Sequence, residues 1–90
     1  IQLYPKEAVF VSDKGTLRFY SDDLKNALEW FLKARKLSPD DMLITNNIAN
    51  IYKMQGDKKK ALKYYRIIAK SGDEYFAEIA QAAIQELNGE

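Results

Sequence analysis

Three acidic pairs, Asp22-Asp23, Asp40-Asp41 and Asp73-Glu74, are the first residues in this sequence whose types and spacing could do chemistry. Adjacent carboxylates can share a proton in acid/base catalysis or offer calcium hard oxygen ligands. Both chemistries need help that the composition withholds. The chain has no histidine and no cysteine, which removes the usual general base, the commonest metal ligand, a thiolate nucleophile and any Cys-ligated zinc. No phosphate-cradling glycine loop and no Ser/His/Asp set is present. Each acidic pair instead stands where a helix should begin, and there a carboxylate accepts from free backbone N–H groups and suits the helix dipole. Capping is the expected role of all three, and no enzymatic activity, metal or cofactor is expected.

A second constellation suits binding better than catalysis. Asn46, Asn50 and Lys53 recur at spacings of four and three, which puts them on one helix face, with Asn47 beside them. An asparagine amide both donates and accepts, so it can pair with a peptide backbone without the desolvation cost of a buried charge. These four residues are the candidate partner-binding set. A third feature is the basic run Lys58, Lys59, Lys60, Lys63, Arg66 and Lys70, followed by a segment, 71–90, with five acidic residues and no basic one. A basic helix can attract nucleic acid. The formal net charge of the chain is only +1, however, and the neighbouring acidic segment weakens attraction to phosphate, so a solvated outer face is expected and nucleic-acid binding is not.

These residues must be carried by helices. Ninety residues, 47% of them hydrophobic and 30% charged, suit one small domain with a modest core. No apolar run approaches the roughly 20 residues of a membrane span, so no membrane insertion is expected. The chain opens on Ile1 rather than Met, which suits a piece of a longer protein, and the compartment is left open, with a soluble cytoplasmic setting favoured. Laid against itself at an offset of about 34 residues, the sequence places "DLKNALEWF" over "DKKKALKYY". Ala27 then falls on Ala61, and Trp30 and Phe31 fall on Tyr64 and Tyr65. Gly56 can take the left-handed conformation that closes a helix, and Asp57 can cap the next. Pro39 ends a helix at Ser38, with Asp40 or Asp41 as the following cap. Gly72 and Asp73 repeat the stop and start.

The expected helices are 22–37, 41–54, 57–70 and 74–88. In the last, Phe76, Ile79, Ala80, Ala83, Ile84 and Leu87 fall on one apolar stripe. Ala27 and Ala61 are expected where paired helices cross, with Tyr52, Tyr64 and Tyr65 packed around the contact. The N-terminal part admits two readings. Residues 8–21 complete the repeat pattern as a helix, whereas "AVFV" and "TLRFY" around "SDKG" could form a β-hairpin. The helix is preferred, because the helix bearing Trp30 and Phe31 needs an amphipathic cover. Residues 1–5 are expected to be frayed or extended.

The segment "NNIANIYKMQGDKKKALKYYRIIAK", residues 46–70, resembles a tetratricopeptide repeat, with Ile48, Ala49, Tyr52, Gly56, Ala61 and Tyr65 at the family's signature positions. Ile68 stands where the family usually has alanine, and Lys14 and Arg18 where it usually has apolar and aromatic residues. The resemblance covers residues 41–73 and extends over 27–39, including Ala34 and Pro39, which together make over half of the chain. It implies an all-α fold of antiparallel helix-turn-helix repeats stacked as a short right-handed α-solenoid. A divergent repeat would span about 8–40, a complete one 41–73, and a capping helix 74–88. It further implies a protein-interaction module whose concave groove, lined by Asn46, Asn47, Asn50 and Lys53, grips a peptide or protein partner. The carboxylate clamp of some members is not expected here, since Ser12, Thr16, Ala77 and Gln81 occupy places where its cations would stand. The alternative is an assembly segment that stacks on further repeats or forms a homo-oligomer.

Overall fold

A computed structural model describes residues 6–89, and these form five helices: α1 (Lys6–Tyr20), α2 (Leu24–Leu37), α3 (Met42–Met54), α4 (Lys58–Ala69) and α5 (Glu74–Asn88). No strand occurs among the described residues. Residues 8–20, the region open to a hairpin reading, lie within α1, whose half-buried Val11 and Phe19 pack against the core. The expected extended segment 1–5 lies outside the described residues.

Aspartates open four of the helices. Asp23 accepts from the Asn26 backbone N–H at 3.3 Å, Asp41 from Leu43 at 3.0 Å, Asp57 from Lys60 at 3.1 Å and Asp73 from Phe76 at 3.2 Å. Each satisfies a donor that the first turn leaves free. One member of each acidic pair is thus engaged as a cap. Asp23 also accepts from the Asn26 side-chain amide at 2.8 Å, and these bonds hold its carboxyl below the usual range.

The turns that close α1 and α3 are the same motif 34 residues apart. After α3, Gly56 (φ 80°) donates to the Lys53 carbonyl at 3.0 Å and Asp57 to that of Tyr52 at 2.9 Å. After α1, Asp22 (φ 60°) donates to Phe19 at 3.1 Å and Asp23 to Arg18 at 2.9 Å. This pair of nested bonds ends a helix through one left-handed residue. Gly72 departs from the expectation, since it does not take the left-handed conformation. The α4–α5 turn is held by Ser71 instead: its hydroxyl donates to the Ile68 carbonyl at 2.7 Å and accepts from the Asp73 N–H at 3.3 Å.

Each helix packs chiefly on its neighbours in sequence, α1 on α2, α2 on α3, α3 on α4 and α4 on α5, with a smaller contact between α3 and α5. The core runs through these layers as Ala27, Phe31, Ile48, Ile51, Ala61, Tyr65 and Ile68, all nearly or fully buried. Small residues set the closest approaches. Ala27 and Ala61 are both fully buried. A methyl group on Gly15 would stand 3.1 Å from ring carbons of Phe31, so α1 lies almost on that ring.

Aromatic rings organise the basic surface. Tyr52 and Tyr64 stack at 5.7 Å between centroids, with Lys60 over Tyr52 at 5.5 Å and Lys63 and Arg35 over Tyr64 at 5.4 and 5.5 Å. Lys14, at a position usually apolar in the resembled repeat, lies 4.8 Å above the Trp30 ring. Its alkyl stem can cover the indole while the ammonium meets the π face. On α5 the apolar stripe is narrower than expected. Ala80 and Leu87 are buried and Phe76, Ala83 and Ile84 partly so, but Ile79 is 39% exposed and Tyr75 69%.

Candidate functional site

The four residues expected to share one binding surface sit on α3, but the packing gives them different surroundings. Asn47 and Asn50 line a cavity of about 150 Å³ together with Thr16 and Phe19 of α1 and Phe31 of α2. Lys53, one turn further on, reaches α5 and pairs with Glu86 at 2.8 Å. Asn46 does not line the cavity, and its Oδ1 is buried with no hydrogen-bond partner among the described residues.

The α1–α3 cavity owes its form to side-chain types. Phe31 is 2% exposed, and with Phe19 it supplies an apolar lining, while Thr16, Asn47 and Asn50 add polar groups. The Thr16 hydroxyl donates to the Ser12 carbonyl within α1 at 3.1 Å. Asn50 is held from behind, where the Tyr65 hydroxyl donates to its Oδ1. Burial pushes the Tyr65 phenol above its ordinary range, so it remains a donor at neutral pH. With Oδ1 engaged by Tyr65, the Asn50 amide still has two N–H donors to offer. Comparable cavities of about 150 Å³ hold a benzene ring, so the space suits one apolar side chain beside amides that can bond its backbone.

Sequence reasoning missed the residues contributed by other helices. Phe19 and Phe31 supply the apolar part of the site, Tyr65 orients Asn50, and Glu86 engages Lys53. The last pair did leave a trace. Lys53 and Glu86 are opposite charges 33 residues apart, close to the offset of about 34 residues at which the sequence overlays itself. The Lys53 ammonium also holds the Glu86 carboxyl below the usual range.

No protein-family model and no curated protein matches this chain. Its functional reading therefore rests on the residues and their arrangement.

Proposed function

We propose that this chain is a non-enzymatic protein-interaction module, a short array of tetratricopeptide-like repeats stacked as a right-handed α-solenoid, that binds an extended peptide along α1 and α3. In this reading α1 and α2 form a divergent repeat over about 8–40, α3 and α4 the complete repeat over 41–73, and α5 the capping helix over 74–88. The observation that carries it is the cavity walled by Asn47 and Asn50 and lined by Phe19 and Phe31. One apolar side chain of the peptide enters this space, and the Asn47 and Asn50 amides bond the backbone on either side. Main-chain pairing supplies affinity and the pocket supplies specificity, the usual division in peptide recognition. The role of Lys53 is indirect, since its pairing with Glu86 ties α3 to α5 and keeps the polar end of the surface in place. Cations on α4 that lie over Tyr52 and Tyr64 favour a solvated outer face over a nucleic-acid site.

The test is selection from a random peptide library displayed on phage, using the whole 90-residue chain as bait and Asn47→Ala as the comparison. Asn47 is the better variant, because Asn50→Ala would strand the Tyr65 hydroxyl and Lys53→Ala would break the tie to α5. Enrichment of peptides sharing one apolar position, weakened at least about fivefold by Asn47→Ala, is the expected result. Enriched peptides that lack that position, or that ignore the substitution, would overturn the reading.

A further inference from the structure

The outer face of α5 has no cover among the described residues. Tyr75 is 69% exposed and Ile79 39%, and Ala82 is exposed beside them. Their spacing of four and three makes a continuous stripe, and with Glu78 they line a shallow depression along the helix. The Tyr75 ring stands edge-on to Phe76 at 4.9 Å, so this exposed aromatic is braced against its neighbour.

The molecule contains a covered counterpart of this face. At the 34-residue offset of the repeat, Ile79 and Ala82 correspond to Thr45 and Ile48 of α3, both fully buried, on the helix that packs against α4. Helix α4 is amphipathic and basic. It buries Ala61, Leu62, Tyr65 and Ile68 while Lys58, Lys59, Lys63 and Arg66 stay exposed. The charge on α5 asks for the same kind of helix, since residues 73–86 include Asp73, Glu74, Glu78 and Glu86 and no lysine or arginine. Glu86 is taken by Lys53 and Asp73 by its cap, which leaves Glu74 and Glu78 beside the stripe.

We propose that the outer face of α5 docks a helix of a partner protein, one whose apolar stripe is flanked by lysine or arginine. A second copy is the weaker occupant, because its lysine-rich helix α4 has already buried its apolar side within its own fold. This surface is separate from the α1–α3 cavity, and substitutions in one leave the other intact.

The test uses the whole chain and a capped synthetic peptide of the α4 sequence, "DKKKALKYYRIIAK", followed by amide NMR. Shifts concentrated at Tyr75, Glu78, Ile79 and Ala82 are expected. Affinity should fall at least about thirtyfold in Tyr75→Ala/Ile79→Ser, as for a central anchor, and about fivefold in Glu78→Lys at low salt. A peptide with its five lysines replaced by glutamate should bind more weakly than the parent, and Asn47→Ala should change nothing. Shifts absent from α5, equal binding of the charge-reversed peptide, or unchanged affinity in both variants would overturn the proposal. So would a molar mass that climbs with concentration in the peptide-free protein and stays monomeric in Tyr75→Ala/Ile79→Ser, which would assign the face to a second copy. Because Tyr75, Glu78 and Ile79 are exposed, all variants should retain the parent melting midpoint, and Glu78→Lys tests the face without removing any apolar surface.

Discussion

Replacing Gly15 by alanine sets two effects of opposite sign against each other, and the structure decides between them. In an open helix the change should stabilise by about 0.8–1.0 kcal/mol, the difference in intrinsic helix propensity. Here the new methyl would meet three ring carbons of Phe31 at 3.1 Å, whereas a comfortable carbon–carbon contact is about 3.5–4.0 Å. The ring is 2% exposed, so it must retreat among buried neighbours or into the α1–α3 cavity that it lines, giving up contacts either way. Such overpacking costs about 1–3 kcal/mol. The expected net result for Gly15→Ala is therefore a loss of about 1 kcal/mol, or roughly 4–8 °C in Tm for a domain of this size. Gly15→Val adds bulk and loses propensity, and should cost about 3 kcal/mol. Urea unfolding followed by circular dichroism, with an unchanged m-value, gives the stabilities. Pairing Gly15→Ala with Phe31→Leu should recover at least about 0.5 kcal/mol of coupling, because the smaller side chain makes room. If Gly15→Ala alone raises stability by about 1 kcal/mol, α1 does not lie on Phe31 and the packing described for this end of the molecule is wrong.

Asp22→Gly should stabilise by about 0.5–1 kcal/mol in thermal unfolding, since it relieves a left-handed aspartate in the turn that Gly56 makes without strain. Conversely, Gly56→Val should cost at least about 1 kcal/mol although nothing crowds that position, because a β-branched residue resists positive φ; an unchanged Tm would refute it. Asn46→Leu removes a buried acceptor that has no partner among the described residues and should raise stability by about 1 kcal/mol, while a fall of that size would mean the oxygen is satisfied after all. Stability should decline at both ends of the pH scale. The carboxyls of Asp23 and Glu86 are depressed, so their contribution is present above the ordinary carboxylate range and is lost as pH falls through their folded values. The phenols of Tyr52 and Tyr65 are raised, so theirs is present below about pH 10 and is lost as pH rises through theirs. Melting midpoints across pH, with ultraviolet titration of tyrosinate at the alkaline end, check both limbs; Lys53→Met should reduce the acid limb and, by removing a cation that lowers the Tyr65 phenol, move tyrosinate formation to higher pH.

Four helices and their starts could be read from local chemistry, because an aspartate cap and an apolar spacing of three and four act within a few residues. The same holds for Gly56, whose left-handed turn depends on little beyond itself. The position of Gly72 was misleading because a serine one residue earlier offers its hydroxyl as an alternative, and glycine frequency alone does not reveal which group closes a turn. Ile79 was placed in the buried stripe of α5 because periodicity marks an apolar arc without saying how much of it a neighbour covers. The candidate site was half legible. Asn50 announces itself by its spacing from Asn46 and Lys53 on one helix, with Asn47 beside it, whereas Phe19, Phe31 and Tyr65 come from three other helices. Their joint presence in one site follows only from how the layers stack.

The neighbour-on-neighbour packing of the helices also shapes how the chain acquires and loses its structure. When most contacts are local in sequence, little loop entropy is spent before they form, and folding in milliseconds or less is the norm. Contacts confined to neighbours also let the ends open without the middle. Helices α2, α3 and α4 are each flanked on both sides, while α1 leans chiefly on α2 and α5 on α4 with the help of Lys53–Glu86. Amide hydrogen exchange should therefore be slowest in α2, α3 and α4 and faster in α1 and α5. The wall of the cavity supplied by Thr16 and Phe19 would then belong to a helix that detaches more readily than its opposite wall, so a ligand held there would slow exchange in α1 far more than in α4.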